Sequence, residues 1–220
     1  MSENAVSTAA KKAGQKVKVT FKTITAPARR RVGVAVLVGI IAGIFSGIIK
    51  FGWEVPFPPR TPERNSTNPP QALLEQIFGM SPETSHATYS YLGNDLPYMS
   101  FIIHFSFAIF FAVLFCVVAE YWPKIKLWQG VVFGIVLDIL FHVIIMPAMG
   151  IVPAPRNQPY SEHNSENINH INWLWSIELV RRDLRNRITG EPDAEFPVEE
   201  RVVAGLIASW VYGGVRFYLR

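Results

Sequence analysis

Three ionisable side chains lie inside long apolar stretches of this sequence, where charge is costly. Asp138 and His142 are four residues apart in one stretch, and His104 lies in another. Residues at this spacing share one face of a helix, so Asp138 and His142 can contact each other. A charged carboxylate at the centre of a bilayer costs roughly 2.5–3.5 kcal/mol or more. We therefore expect these side chains to form a polar network rather than to stand alone.

A hairpin geometry extends this network. The short segment 120–126 joins two apolar stretches and centres near residue 123, so residues at equal distances from it lie at equal depth. His104 and His142 satisfy this condition, and their imidazoles are expected to approach each other. Glu54 lies just beyond the first apolar stretch, on the same side. Further candidates, if a later helix docks there, are His163, His170 and Glu178.

Three interpretations of the network stay open: a structural set of hydrogen bonds, a proton-responsive site, and a metal or haem site. Histidine titrates near pH 6.5, which favours proton sensing. Histidine and carboxylate ligands also suit zinc, iron or copper. However, the sequence contains no HExxH, HxH or paired ExxH motif, and its one cysteine, Cys116, cannot build a thiolate site. We expect no catalytic residues, no metal and no cofactor.

The elements that position these residues are membrane spans. Val32–Ile49 has 18 residues without a charge, about 27 Å of helix, close to the thickness of the hydrocarbon core. Met99–Ala119 and Leu127–Met149 are the other two long apolar stretches. The predicted fold class is therefore all-α: a multi-pass helical membrane protein with three transmembrane helices. Val202–Val215 is a candidate fourth span, although its 14 residues are short for a crossing.

The chain divides into three predicted regions. Residues 1–31 form a basic cytoplasmic tail, and residues 32–149 form the three-span bundle. The bundle includes an external, proline-rich loop, 50–98. Residues 150–220 contain a loop, an interfacial helix at 165–188 that Gly190 ends, and a weakly apolar segment at 202–219.

The distribution of charge favours a lipid partner over nucleic acid. The net charge is +4, and eight basic residues precede the first span. A basic cluster beside a span binds anionic lipid headgroups and indicates that this end of the span faces the cytoplasm. Arg181, Arg182, Arg185 and Arg187 would lie outside after three spans. Either residues 168–180 re-enter the membrane, or basic residues so late in the chain have little influence on its orientation in the membrane.

Small residues recur at four-residue spacing in the spans. Gly39, Gly43 and Gly47 form one row, and Gly130 and Gly134 form another. Such rows let helix backbones approach closely. They serve packing within one chain or between copies, so a homo-oligomer stays open.

Several segments resemble one family. Arg29–Arg31 precede a glycine-rich span that ends in Lys50-Phe51-Gly52-Trp53-Glu54, and Val55–Arg60 follows. The span with Asp138 and His142, then Pro153–Pro155 and the 178–187 stretch, fit the same pattern. Over roughly 28–190 the chain resembles the YagU family of bacterial inner-membrane proteins. The resemblance implies a multi-pass inner-membrane protein associated with acid resistance. It supplies no reaction and no site residues.

These observations lead to a functional expectation. We expect a non-enzymatic inner-membrane protein that contributes to the stress response at low pH, through a protonatable network of His104, Asp138, His142 and Glu54. One alternative is a membrane-bound metal- or haem-dependent enzyme that uses the same residues and Glu178. Another is an oligomeric channel or transporter subunit, although no inverted repeat is recognisable in the sequence.

Overall fold

Helices dominate the structure, a computed structural model that describes residues 24–191 and 193. The predicted segment 202–219 and most of the basic tail lie outside these residues. The helices and strands, in chain order, are α1 (Val32–Glu54), α2 (Pro69–Phe78), α3 (Pro82–Ser85), β1 (Thr88–Tyr91), β2 (Asn94–Pro97), α4 (Tyr98–Tyr121), α5 (Val131–Ala148) and α6 (Tyr160–Thr189).

Three helices in the described part of the chain are long and apolar enough to cross a membrane. They are α1 with 23 residues, α4 with 24 and α5 with 18. All three predicted spans are therefore confirmed as helices. Many large apolar side chains on them point outward, including Ile44, Phe45 and Phe110. Exposed apolar surface of this extent is what a bilayer would cover.

The third span starts later than the sequence predicted. Leu127 was the expected start, but α5 begins at Val131. Trp128, Gln129 and Gly130 have φ values of +51°, +56° and +85°, and left-handed residues cannot continue a right-handed helix. The helix also contains a π-helical segment, Ile139–Ile145, around His142. Such segments are rare and are frequent at functional sites.

Helix α6 starts earlier than the sequence predicted. It begins at Tyr160 rather than at residue 165, and the Ser165 hydroxyl donates to the Phe57 carbonyl (2.7 Å). It ends at Gly190, which has a φ of +65°, as predicted. The helix packs along α1 and α5, where its Trp173 is completely buried.

Glycines set the distance between α1 and α4. A Cβ atom added to Gly39 would lie 2.6 Å from Val113 Cα, and one added to Gly43 would lie 2.5 Å from Ile109 Cα. At Gly47 the added atom would lie 2.9 Å from the Phe105 ring. The two backbones are therefore in direct contact, and this row serves packing within one chain.

Glycines also set the distance between α5 and α6. A Cβ atom on Gly134 would lie 2.6 Å from the His170 carbonyl oxygen, and one on Gly130 would lie 2.8 Å from that of Leu174. As residue numbers rise along α5, those of the neighbouring α6 residues fall. The two helices are therefore antiparallel, and this orientation decides which of their polar side chains meet.

A fully buried apolar layer separates the two ends of the bundle. It includes Ala112, Phe115, Cys116, Trp173 and Ile177. At its edge the Trp173 indole donates to the Ser46 hydroxyl (3.1 Å). The layer separates the polar groups of α6 into two sets, one near each helix end.

The loop between α1 and α4 closes one end of the bundle. Asn68 caps α2 through a capping box, and its amide also donates to the Ser100 hydroxyl of α4 (2.9 Å). Gly79 ends α2 and Ser81 caps α3. These contacts hold the proline-rich segment over the polar side chains described next.

Candidate functional site

Four side chains on α5 and α6 form the histidine cluster: Asp138, His142, Glu166 and His170. Each helix contributes a carboxylate and a histidine four residues apart. Because the helices are antiparallel, the pairs face each other in reverse order. Asp138 Oδ1 lies 3.7 Å from His170 Nδ1, and His142 Nε2 lies 3.4 Å from Glu166 Oε2. The two imidazole ring centroids are 4.9 Å apart.

The cluster contains both satisfied and unsatisfied polar atoms. The Asn167 amide donates to Asp138 Oδ2 (2.9 Å). His170 Nδ1 lies 2.9 Å from the Glu166 carbonyl oxygen, and because a carbonyl only accepts, this nitrogen carries a proton. Asp138 Oδ1 and Glu166 Oε2 are buried without a hydrogen-bond partner. Unsatisfied buried carboxylate oxygens are costly, so they mark a place where a proton or another cation would be stabilised.

Basic side chains border the cluster on the side of α1 and the proline-rich loop. Lys50 Nζ lies 3.7 Å from Glu166 Oε2 and 3.5 Å from Glu54 Oε1. The Arg60 guanidinium donates to Glu166 Oε1 (3.0 Å), and the Asn169 amide donates to Glu54 Oε1 (2.9 Å). Further out, Glu162 lies 3.0 Å from Arg60 and 2.8 Å from Arg64.

A cavity of about 500 Å³ lies beside the histidine cluster. Aromatic side chains line one part of its wall: Phe51, Phe101, Phe107 and Phe141. Ionisable side chains line another: Lys50, Glu54, His104, His142, Glu166 and His170. Three members of the histidine cluster, His142, Glu166 and His170, therefore form part of the cavity wall.

The structure places the site residues that the sequence predicted in several different surroundings. His104 and His142 line the same cavity, but the imidazole beside His142 is that of His170. His104 Nε2 donates to the Gly47 carbonyl (3.2 Å), and its ring stacks on Phe51 (3.8 Å between centroids). Asp138 belongs to the histidine cluster, and Glu54 lies beside it, next to Lys50. His163 Nε2 contacts the Pro155 carbonyl (2.9 Å), and Glu178 lies beyond the apolar layer.

Sequence reasoning missed Glu166 and Lys50 as members of the site. Glu166 lies in the first turn of the predicted helix at 165–188, and that position alone predicts no site. A signal was present: Glu166 and His170 repeat the four-residue spacing of Asp138 and His142. Lys50 had no such signal, because its place depends on how α1 packs against α6.

The cluster also has a geometry that could hold a metal ion. Donor atoms of Asp138, His142 and His170 lie within 4.8 Å of one another. One feature opposes this use, because Lys50 already brings positive charge beside the Glu166 carboxylate. The contact of His170 Nδ1 with a backbone carbonyl does not oppose it, because Nε2 of that ring stays free as a ligand.

A second polar set lies at the other end of α6, beyond the apolar layer. This arginine cluster consists of Glu120, Lys126, Glu178, Arg181, Arg185 and Asp193. Arg181 pairs with Asp193 and with Glu178 (2.8 Å), Lys126 pairs with Asp193 (2.8 Å), and Arg185 pairs with Glu120. Three carboxylates therefore meet three cations, and every carboxylate has a cationic partner.

The arginine cluster shifts the pKa values of two of its members, Asp193 and Lys126. Burial alone would raise the pKa of Asp193, but Arg181 and Lys126 hold that pKa well below its ordinary value. Burial, together with the neighbouring Arg181, lowers the pKa of Lys126. An aspartate stabilised in this way stays ionised throughout the physiological range.

The fold and the known proteins similar to this chain together define its class. Three apolar spans that bury polar groups between them are typical of a polytopic α-helical membrane protein. The chain is 41% identical to the inner membrane protein YagU of Escherichia coli (strain K12), in an alignment that covers 79% of this chain and 95% of that protein. Residues 44–179 match a family model described as a protein of unknown function, DUF1440. This chain therefore belongs to the YagU family and is an inner-membrane protein with several helical spans. No solved structure matches it.

Proposed function

We propose that this protein is a non-enzymatic component of the inner membrane that supports survival at low pH through protonation of the histidine cluster. One observation carries the proposal. Two carboxylate–histidine pairs face each other inside the bundle, with their imidazoles 4.9 Å apart and Lys50 beside them. The expected network of Glu54, His104, Asp138 and His142 is thereby extended to Glu166 and His170.

Protonation changes the balance of charge in this cluster. With neutral imidazoles, Lys50 and Arg60 face the carboxylates of Glu54, Asp138 and Glu166. Burial opposes charge on His142 and His170, whereas Asp138 and Glu166 favour it. Two imidazolium ions 4.9 Å apart repel each other by about 3 kcal/mol at an effective dielectric constant near 20.

Other ionisable groups face the same region and share the response. They are His104 on α4, Glu162 and His163 on α6, and Arg64 in the loop. The repulsion acts across the contact between α5 and α6, which Gly134 keeps close. Strong acidification therefore loosens this end of the bundle, while the apolar layer and the arginine cluster hold the other end.

Acid survival of cells tests the proposal. A strain that depends on this chain would carry His142→Gln with His170→Gln, at the expression level of the natural protein. Glutamine keeps hydrogen-bonding capacity but cannot gain a charge in this range. We expect survival at low pH to fall toward that of a strain without the protein.

The matched control is His86→Gln, because His86 lies in the loop between α1 and α4, where it pairs with Glu75 (3.1 Å) and not with the facing pairs. Normal survival is expected for this control, and a smaller loss for His104→Gln. If the double variant survives acid as well as the natural protein, the histidine cluster has no role in acid resistance.

A membrane-bound metal or haem enzyme is the second candidate, favoured by the three donor atoms within 4.8 Å. Elemental analysis and an absorbance spectrum of the purified protein distinguish the two. We expect less than stoichiometric metal and no haem band. A stoichiometric metal lost in the Asp138→Asn variant would replace the proton-responsive function with a metal-dependent one.

A further inference from the structure

Helix α6 runs antiparallel to α1 over its whole length. The Ser165 hydroxyl contacts the Phe57 carbonyl just beyond the end of α1, and Asn169 contacts Glu54. Halfway along, Trp173 contacts Ser46. At the far end Glu191, just after α6, pairs with Arg31 just before α1 (2.9 Å). Helix α6 therefore extends across the same thickness as α1, which is a membrane span.

The polar side of α6 faces the protein. Its buried residues include these eight polar ones: Glu162, Glu166, Asn169, His170, Ser176, Glu178, Arg181 and Arg185. A helix lying on a membrane surface would show the opposite arrangement, with its charges toward water. Polar residues that face the protein therefore account for much of the low mean hydropathy of this segment.

The outward side of α6 is apolar in its middle. Ile168 and Trp175 are exposed, at 36% and 43%, and Ile171 and Leu179 are partly exposed on the same side. Asn172 is a partly exposed polar residue among them. Exposed polar residues lie on either side of this apolar part, at Asn164 and Asp183. These two lie 19 residues apart, or about 28 Å along a helix, which matches the hydrocarbon core of a bilayer.

We propose that α6 is a fourth membrane-crossing helix, with its outward face of Ile168, Ile171, Trp175 and Leu179 covered by lipid acyl chains. Exposed apolar residues also cover the neighbouring helices α1 and α5, for example Ile44 and Val136. The inference goes beyond the proposed function and does not depend on it.

A crossing by α6 also explains how the basic residues are distributed along the chain. With α6 crossing, Arg181, Arg182, Arg185 and Arg187 lie at the same end as the basic tail and the 120–126 turn. That end then has fourteen lysines and arginines, while the other has four: Lys50, Arg60, Arg64 and Arg156. Basic residues accumulate on the cytoplasmic side, so this crossing places residues 1–31 and Gly190 together in the cytoplasm.

Labelling of single added cysteines tests the crossing in the full chain. Cys116 is buried, so the natural protein gives the background for a membrane-impermeant maleimide. Ser161→Cys and Asp183→Cys place thiols at exposed positions near the two ends of α6. In cells with a permeable outer membrane but an intact inner membrane, we expect at least a tenfold stronger signal from Ser161→Cys.

Disruption of the inner membrane should bring the two signals to the same level. Equal labelling of both positions before disruption would show that the helix ends lie on the same side, and would overturn the crossing.

A spin label at Trp175→Cys tests what covers the outward face. Oxygen concentrates in lipid and nickel chelates stay in water, so lipid contact predicts faster relaxation with oxygen. Faster relaxation with the chelate would place the residue in water and overturn the proposal. Efficient disulfide cross-linking of two Trp175→Cys chains would replace lipid with a second copy of this chain, and would also overturn it.

Discussion

The histidine cluster and the arginine cluster lie near opposite ends of α6 and use the same kinds of charged groups in different ways. In the arginine cluster three carboxylates meet three cations at close range. In the histidine cluster two carboxylate oxygens lack hydrogen bonds, and their neighbours are imidazoles at 3.4 and 3.7 Å beside a cavity. The charges of the first are therefore balanced by ion pairs. We propose that the second gains charge on acidification, so that one end of α6 stabilises the fold and the other responds to acid.

Removing Arg181 should have the largest effect on stability. Its guanidinium is fully buried between Glu178 and Asp193, so Arg181→Met leaves two buried carboxylates without it. We expect a loss of about 3–5 kcal/mol in the free energy of unfolding, measured by denaturation in detergent. The control is Arg187→Met, which removes a pair whose arginine is 75% exposed and should change stability by less than about 0.5 kcal/mol. Equal losses of stability in the two variants would mean that the arginine cluster does not stabilise the fold.

Replacing Asp193 should reveal how the arginine cluster depends on pH. We expect Asp193→Asn to lose about 1.5–3 kcal/mol at pH 7, because hydrogen bonds to a charged acceptor are lost. The native pKa of Asp193 lies below its value in the unfolded chain. Its stabilisation is therefore complete above about pH 4 and disappears as pH falls through the native pKa. The difference from the natural protein should stay constant from pH 8 to 5, and a difference that shrinks near pH 6 would contradict this.

Widening the contact between α5 and α6 should affect the histidine end. The added methyl group of Gly134→Ala would lie 2.6 Å from the His170 carbonyl oxygen. We expect a loss of about 1–3 kcal/mol from overpacking. At Gly33 an added Cβ atom meets nothing within 4 Å, so Gly33→Ala is the control and should be close to neutral. If both variants unfold at the same temperature, the close approach at Gly134 does not stabilise this contact.

The smallest loss of stability is expected from a substitution between the two clusters, at the edge of the apolar layer. Ser46→Ala removes the acceptor of the Trp173 indole and should cost about 0.5–1.5 kcal/mol. Both clusters keep all their charges in this variant. Thermal unfolding at pH 7 and at pH 5 should therefore shift by the same amount, and a shift that depends on pH would mean that this layer does not separate the clusters.

The spans could be predicted from the sequence because long apolar runs of the right length are a local property. The same is true of the glycine rows, of Asp138 with His142, and of the end of α6 at Gly190. The placement of α6 could not be predicted, because its average composition is polar and only its packing shows which side faces inward. Because the placement of α6 could not be predicted, the sequence predicted His104 beside His142. In the structure His170 of α6 occupies that position. Helix α5 starts late because the three residues before it have left-handed backbone conformations. The run of apolar residues in the sequence does not indicate these conformations.

The central claim is that the histidine cluster responds to acid while the arginine cluster does not. The most direct test is the stability of the purified natural protein and of the His142→Gln, His170→Gln double variant, in the same detergent, from pH 8 to 4. Imidazoles that are buried neutral bind more protons once the chain unfolds, so stability falls as pH falls. We predict that the natural protein loses stability below pH 6 and that the double variant loses much less. Two curves that run parallel across the whole range would contradict the account.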